Sequence, residues 1–199
     1  MTDSAFFTMN IRKYIEQGEE GEKLLNRLLA DYACPPNPDV ERFLHNQAID
    51  FTKRSQSVSY LLFANIDEQL LAYFTLTIKP ISVNAANFSN TMRRKIERVS
   101  EVNEQTGEYI LAAYLIAQLG KNFADGANER ITGDQLLQAA LDEIYDLRYK
   151  AGGTVIFLET EEIPALLAFY ERNGFKRFAV RKSRGTQQQH KLVQLLKVM

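Results

Sequence analysis

The chain of 199 residues has no tryptophan and only one cysteine, Cys34, which excludes an intramolecular disulfide. No run of apolar residues approaches the roughly 18 that a membrane-spanning helix needs. Residues 1–8 also lack a basic segment followed by a long apolar one, so we expect neither a signal peptide nor a membrane anchor. Together these absences favour a cytoplasmic protein with one domain over residues 1–199.

The sequence also lacks an excess of charge of one sign. It has 24 Lys and Arg against 25 Asp and Glu, a net charge of −1, which argues against a protein that binds nucleic acid over its whole surface. No spacing of His and Cys residues suggests a metal site, and we predict none. His45 and His190 stand in no catalytic pattern, so we expect them to be structural or exposed. Cys34, beside Pro35, has no activating neighbour, and we expect no nucleophilic role for it.

Apolar periodicity predicts the elements of the first half of the chain. We expect a strand at Phe6–Tyr14 and a helix at Gly21–Tyr32 whose leucines share one face. Two prolines end that helix, and an asparagine N-cap opens a second predicted helix, Asn37–Lys53. Strands at Ser57–Ile66 and Gln69–Ile78 follow, with a polar turn between them that predicts a hairpin.

Residues 80–107 form a long polar connection, within which we predict a short exposed helix at Met92–Val99. This helix carries four cations, namely Arg93, Arg94, Lys95 and Arg98. Connections of this length are often functional. Two interpretations stay open: a solvated charged helix, which is the commoner case, or a surface that meets an acidic partner or RNA phosphates.

The second half of the chain has the clearest patterns. Tyr109–Leu119 is apolar on both faces, which is typical of a central strand in a covered sheet. Gln135–Lys150 carries one apolar stripe and predicts an amphipathic helix. Three further strands are predicted at Thr154–Glu159, Phe175–Val180 and Leu192–Val198. A short helix begins near Pro164 and ends before Gly174, and Lys182–His190 is a polar hairpin loop.

A turn with one glycine precedes the amphipathic helix: Arg130-Ile131-Thr132-Gly133-Asp134-Gln135. The spacing of Thr132 and Gln135 predicts a capping box at the helix start. A helix start leaves backbone N–H groups without internal partners and suits a phosphate, which Gly133 allows to approach closely. The Asp134 carboxylate would repel a phosphate unless it points away. On its own, this pattern most often marks a plain capped helix.

The helix that follows ends with Tyr170 one turn before Gly174-Phe175. Taken alone, such a tyrosine is most often a packed residue with a solvated hydroxyl. Together with the order of elements, however, the two motifs resemble the GNAT superfamily of acetyl-CoA-dependent N-acyltransferases. The first turn is similar to the family's Q/R-x-x-G-x-G/A turn, with Gln135 in place of the last small residue. Ala165 to Phe175 is similar to its A-x-x-x-x-Y-x-x-x-G-F ending, and Ile163 stands where many members carry asparagine.

The resemblance implies an α+β fold in which a central mixed β-sheet is flanked by helices, with acetyl-CoA as co-substrate. It also implies that Tyr170 protonates the leaving thiolate. The strand backbone would pair with the pantetheine arm and supply the oxyanion donor, and the turn would hold the pyrophosphate. The implied cofactor-binding residues are Leu115, Ile116, Ala117, Gln118, Arg130, Ile131, Thr132, Gly133, Asp134 and Gln135.

The implied reaction is transfer of an acetyl group to a primary amine of a small molecule or a protein, by direct attack in a ternary complex. An acetyltransferase of aminoacyl-tRNA is an alternative, because Asn37–Lys53 and the Arg-bearing connection look like those of GNAT toxins, although the net charge disfavours tRNA. A non-catalytic acyl-CoA-binding or interaction module is the third interpretation. No general base is obvious: Glu108 and Glu159 lie at strand ends, where a solvated charge is the commoner case. The apolar Leu192–Val198 segment can complete a sheet or meet a second subunit in a homodimer.

Overall fold

The computed structural model describes residues 5–182 and 191–199, and eight strands within these ranges form one sheet. The strands are β1 Phe6–Asn10, β2 Val58–Ala64, β3 Leu70–Asn84, β4 Val102–Asn103, β5 Glu108–Lys121, β6 Val155–Glu161, β7 Lys176–Lys182 and β8 Lys191–Val198. The helices are α1 Arg12–Ile15, α2 Glu19–Ala30, α3 Pro38–Asn46, α4 Ala48–Lys53, α5 Asn90–Ile96, α6 Gly133–Ala151 and α7 Pro164–Arg172. The strand order is β1-β2-β3-β5-β6-β8-β7, with β4 paired to β5. The prediction of a mixed sheet flanked by helices is confirmed.

The first predicted strand and the second predicted helix differ clearly from their predicted bounds. The first strand ends at Asn10, whose side chain accepts the backbone N–H of Arg12 at 2.9 Å and turns the chain into α1. The predicted helix Asn37–Lys53 is two helices, since Gln47 has a non-helical φ of −130° between α3 and α4. Asn37 caps α3 as predicted, because its side chain accepts the N–H of Val40 at 3.3 Å.

The connection over residues 80–107 contains more regular structure than predicted. Strand β3 continues past Ile78 to Asn84, and the side chains of Ile81 and Val83 are buried in alternation with exposed neighbours. Ser89 caps α5 by accepting the N–H of Met92 at 3.4 Å. Ile96 at the end of α5 is fully buried, so this helix is packed on one side and is not a wholly solvated element.

The chain divides into two compact units, unit 1 (Met1–Thr77 and Ile116–Ile144) and unit 2 (Ile78–Leu115 and Tyr145–Met199). Each unit has its own apolar core. The core of unit 1 includes buried side chains from its helices and strands, among them Leu25, Leu29, Phe43, Leu44, Leu61, Phe63 and Tyr73. The core of unit 2 includes Ile96, Tyr109, Leu111, Val155, Phe157 and Leu196. Full burial of such a side chain contributes about 1.5–3 kcal/mol to stability.

Of the predicted hairpin loop Lys182–His190, only Lys182 belongs to the described residues. The prediction for His190 therefore falls outside the described part of the chain. The two strands beside it pair antiparallel, with Lys182 opposite Lys191 and Lys176 opposite Leu196.

Candidate active site

The predicted capping box is present at the start of α6. The Thr132 hydroxyl accepts the backbone N–H of Gln135 at 3.1 Å, and the Gln135 side-chain oxygen accepts the backbone N–H of Thr132 at 2.9 Å. Gln135 therefore turns back onto its own helix end. This exchange uses the N–H of Gln135, the third helical residue, and fixes the conformation of the first turn of α6.

Two cations beside this turn are engaged by the protein itself. The Arg130 guanidinium donates to both carboxylate oxygens of Asp67, at 2.8 and 3.1 Å, and also to the side-chain oxygen of Gln69. The hydrogen bond from Arg130 holds the pKa of Asp67 below its usual range. The Lys121 ammonium donates to the carbonyls of Asn128 at 2.8 Å and Ile131 at 3.3 Å. Both cations thus fix the loop that leads into α6.

The end of β5, just before this loop, is held by a buried polar side chain. The Asn122 amide oxygen accepts the N–H groups of Ala33 and Ala124, both at 3.0 Å, and its amide nitrogen donates to the carbonyl of Leu70 at 2.9 Å. Gly120 permits the close approach on the same strand, because a Cβ there would lie 2.5 Å from a Val40 methyl and 2.6 Å from the Tyr32 hydroxyl. The loop before α6 therefore starts from a rigid base.

The four strand residues predicted to meet the cofactor lie within β5, which continues unbroken from Glu108 to Lys121. Ile116 is buried, whereas Leu115, Ala117 and Gln118 are half-buried. The alternation of buried and exposed side chains seen earlier in the strand is lost here. The Gln118 side-chain amide makes no hydrogen bond within the described residues.

The end of α7 explains the Tyr-x-x-x-Gly-Phe spacing in physical terms. The carbonyl of Tyr170 accepts the N–H of Phe175 at 3.1 Å, and that of Glu171 accepts the N–H of Gly174 at 2.9 Å, which together form a Schellman motif. Gly174 adopts a φ of +84°, a left-handed conformation that glycine takes at no steric cost. The rings of Tyr170 and Phe175 meet edge-on with centroids 5.9 Å apart, as the apolar contact of this motif requires.

The environment of Tyr170 favours the protonated phenol. Its side chain is packed edge-on against Phe169 on one side and Phe175 on the other, and only 9% of the residue is exposed. Burial raises the pKa of Tyr170 to about 12. The aromatic contacts and the helix cap explain the position of the ring. The hydroxyl makes no hydrogen bond with the described residues. A phenol in this state can donate a proton or a hydrogen bond to a ligand.

Several solved structures share this architecture. AtaT complexed with acetyl-methionyl-tRNAfMet matches with a TM-score of 0.63 and 13% identity, over 94% of this chain and 93% of that one. A Tyr-to-Phe mutant of KacT matches with a TM-score of 0.63 and 12% identity, over 96% and 94%. The NatC complex bound to Gag peptide and CoA matches with a TM-score of 0.50 and 17% identity, over 98% and 99%. The chain has the GNAT fold.

No protein-family model matches the sequence, and none of the curated proteins does so either. At identities of 12–17%, the structural likeness establishes the GNAT fold alone. Any catalytic activity depends on the side chains that this chain places within the fold.

Within this GNAT fold, the prediction that Glu159 is a solvated charge at a strand end is wrong. Its side chain is 16% exposed, forms an ion pair with Arg181 through two hydrogen bonds, and accepts a third from Gln194 at 2.8 Å. Burial alone would raise the pKa of Glu159, but the hydrogen bonds from Arg181 and Gln194 outweigh it and hold that pKa below its ordinary value. A carboxylate held in this way is a weak base. Glu108, the other candidate, accepts a hydrogen bond from the Ser82 hydroxyl at 2.6 Å.

The surroundings of Cys34 and His45 are those of residues held within the fold. Burial raises the pKa of the Cys34 thiol, which disfavours the nucleophilic thiolate. The His45 ring nitrogen Nε2 lies 2.9 Å from the carbonyl oxygen of Tyr32. In the described ranges, no group of three or more His, Cys, Asp or Glu residues is arranged to hold a metal ion. The helices described within these ranges include none with the length and apolar character to cross a membrane.

The predicted site residues fall in both units of the chain. The turn Arg130–Gln135 and the strand residues Ile116–Gln118 lie in unit 1, and Leu115 and Tyr170 lie in unit 2. Sequence reasoning did not find two residues that shape these segments, Asn122 and Lys197. Asn122 donates to a carbonyl 52 residues away and Lys197 to one 24 residues away, and sequence spacing does not indicate either contact.

Proposed function

We propose that the protein is a GNAT-type N-acetyltransferase that moves the acetyl group of acetyl-CoA to a primary amine, with both units acting as one domain. The observation that carries this proposal is the state of Tyr170. Its ring packs at a helix cap against two aromatic neighbours, and its hydroxyl is protonated and makes no hydrogen bond with residues 5–182 or 191–199. The GNAT fold of the chain supports the same reading.

The cofactor would be held by backbone groups in this proposal. We expect the pyrophosphate at the N–H groups that open α6, where the capping box of Thr132 and Gln135 fixes the turn. Arg130 and Ile131 complete the turn, with the Arg130 charge held close by Asp67. The backbone of Leu115–Gln118 would pair with the pantetheine arm in the manner of an added strand, and the Gln118 amide is a further contact.

The reaction forms a C–N bond and breaks the C–S bond of the thioester. The uncharged amine attacks the carbonyl carbon, and a backbone N–H within Leu115–Gln118 stabilises the oxyanion that develops. As the C–S bond breaks, the sulfur takes the phenolic proton of Tyr170. The proton that the amine nitrogen loses returns to the phenolate oxygen through solvent, so that the enzyme regains its starting state.

The proposal is tested first by calorimetric titration with acetyl-CoA, with dephospho-coenzyme A and adenine nucleotides as comparisons. We expect saturable binding and a higher melting temperature, equivalent to about 2.7 kcal/mol at a hundredfold excess over Kd. Thiol release is then measured against a panel of primary amines. Binding without release by any amine would favour the acyl-CoA-binding module, and no binding at millimolar ligand would refute the proposal.

Tyr170→Phe tests the role of the hydroxyl. The substitution keeps the ring that packs on Phe175 and removes only the proton donor. We expect turnover to fall about a hundredfold or more while the Kd for acetyl-CoA stays nearly unchanged, because general acid catalysis contributes about 10²–10⁴ in rate. Tyr145→Phe, a change on the partly exposed face of α6, is the matched control. Wild-type turnover in Tyr170→Phe would exclude the proton-donor role.

One observation favours a second candidate function, acetylation of aminoacyl-tRNA. Although the net charge of the whole chain is near zero, the two units carry formal charges of opposite sign. Unit 2 has 15 Lys and Arg against 9 Asp and Glu, a formal charge of +6, whereas unit 1 has 9 against 16, or −7. A basic unit can bind phosphates even when the whole chain is neutral. The fold likeness to AtaT, solved with acetyl-methionyl-tRNAfMet, supports the same candidate.

The two functions differ in their response to salt. If acylated tRNA is the acceptor, acetyl transfer to it should weaken steeply with ionic strength, since each phosphate contact releases counterions. Arg94→Gln and Arg98→Gln, both exposed in unit 2, should each weaken tRNA binding and leave the Kd for acetyl-CoA unchanged. Acetylation of small amines with no measurable tRNA binding would exclude this second candidate.

A further inference from the structure

The cap of α7 is completed by a residue from a different strand. The Lys197 ammonium on β8 donates to the carbonyl of Asn173 at 3.1 Å and lies 5.8 Å from the centre of the Phe175 ring. A Cβ on Gly174 would lie 3.6–3.9 Å from the last atoms of the same lysine side chain. One cation thus binds the carbonyl of Asn173 and lies close to the two residues that follow it.

A cation at this position stabilises the C-terminal end of α7. The Schellman motif satisfies the carbonyls of Tyr170 and Glu171, and the carbonyl of Asn173, just past the helix, accepts a hydrogen bond from Lys197. The ammonium supplies that hydrogen bond and also places a positive charge at the negative end of the helix dipole. Lys197 is held in the sheet opposite Ile156, so the cap is tied to the strand β6 rather than left to the turn alone.

The same cap determines the direction of Tyr170. The Tyr170 carbonyl accepts the N–H groups of Asn173 and Phe175, both at 3.1 Å, and its ring rests against that of Phe175. Any loosening of residues 173–175 therefore moves both the backbone and the ring on which the hydroxyl depends. We infer that Lys197 is a positioning residue that holds the Tyr170 hydroxyl in its reactive place, an inference that rests on the proposed function.

A positioning role and a direct role toward the cofactor make different predictions. A lysine that bound a phosphate of acetyl-CoA would change the Kd when its charge is removed. A lysine that only aligns Tyr170 would change turnover and leave that Kd alone, because a misplacement of about 1 Å at a reacting group can cost 10²-fold in rate. Partly buried as it is, the ammonium is engaged by a protein carbonyl.

The test compares Lys197→Met, which keeps the stem and removes the charge, with Lys197→Arg, which keeps the charge. Lys191→Met, an exposed change on the same strand, is the matched control. Amide hydrogen exchange at residues 173–175 measures the stability of the cap and needs no amine substrate. Thiol release measures turnover, and the Kd for acetyl-CoA measures cofactor binding. All are measured well below the melting temperature of each variant.

For Lys197→Met we expect exchange at residues 173–175 to rise about tenfold, and turnover to fall about tenfold or more, with the Kd within a factor of about two. Lys197→Arg should retain most of both properties, and Lys191→Met should match the wild type. Unchanged exchange and turnover in Lys197→Met, or a loss of acetyl-CoA affinity equal to the loss of turnover, would overturn the inference. If Tyr170→Phe loses turnover and Lys197→Met does not, the positioning role fails while the proposed function stands. If Tyr170→Phe keeps wild-type turnover, the proton-donor role itself fails.

Discussion

Replacing Glu159 by glutamine separates a structural carboxylate from a catalytic one. Glutamine keeps the size of the side chain and removes the charge that Arg181 and Gln194 bind. A hydrogen bond to a charged group contributes about 1.5–3 kcal/mol when buried. Because 37% of the Arg181 side chain is exposed, solvent screens the pair, and we expect a loss of about 1–2 kcal/mol. For a chain of this length, that lowers Tm by about 2–8 °C.

The loss should depend on pH in a defined direction. The folded-state pKa of Glu159 lies below its ordinary value, because the hydrogen bonds from Arg181 and Gln194 outweigh the effect of burial. The contribution of Glu159 to stability is therefore fully present above the unfolded pKa of about 4.3 and is lost as pH falls through the folded pKa. Urea unfolding of wild type and Glu159→Gln should differ most at neutral pH and converge in acid.

The same variant reports on catalysis. Since the Glu159 carboxylate is held by Arg181 and is a weak base, we expect Glu159→Gln to keep turnover within a few-fold of wild type at temperatures where it is folded. Arg181→Met is the comparison, because it leaves the carboxylate half-buried without its cation, with only the hydrogen bond from Gln194, and should destabilise more at neutral pH. The reasoning is refuted if Glu159→Gln abolishes turnover while its free energy of unfolding is unchanged, which would make Glu159 the general base.

The other predictions concern the loop before α6. Thr132→Ala removes the N-cap and should lower the free energy of unfolding by about 1 kcal/mol in thermal or urea unfolding, whereas Thr132→Ser should be near wild type. The same change should weaken acetyl-CoA binding in calorimetry, because the turn that meets the phosphates loses its fixed geometry. Lys121→Met removes the hydrogen bonds to the Asn128 and Ile131 carbonyls and should raise the Kd for acetyl-CoA several-fold, with Lys23→Met as an exposed control. An unchanged Kd in Lys121→Met would show that this ammonium does not order the turn.

Local patterns predicted the elements whose cause is local. The capping box of Thr132 and Gln135 and the cap of Asn37 depend on residues three positions apart, and both are present. The break at Gln47 was missed, because the apolar side of Asn37–Lys53 is compatible with one long helix. The extension of β3 past Pro80 was also missed, since proline usually ends a strand and only the packing of Ile81 and Val83 continues it here.

Long-range contacts explain what the sequence left open at the candidate site. The sequence does not indicate a partner for the charge of Arg130 or of Lys121. In the structure, Asp67 pairs with Arg130, and loop carbonyls accept hydrogen bonds from Lys121. Glu159 looks like a strand-end charge, yet Arg181, 22 residues away, binds it. In each case the decisive partner approaches through the fold of the sheet or of a loop, and the sequence spacing gives no sign of it.

The spacing of the Tyr170 motif has a structural cause as well as a resemblance to a catalytic motif. The spacing of Tyr170, Gly174 and Phe175 is what a Schellman cap with its apolar contact requires, so this spacing would recur in any helix that ends this way. A phenylalanine at position 170 would serve the cap equally well. The phenolic oxygen is what distinguishes a catalytic tyrosine from a packed ring, because the cap does not use it. It is protonated and makes no hydrogen bond within the described part of the chain. For that reason Tyr170→Phe is informative here: stability should be almost unchanged by it, and any loss belongs to the hydroxyl.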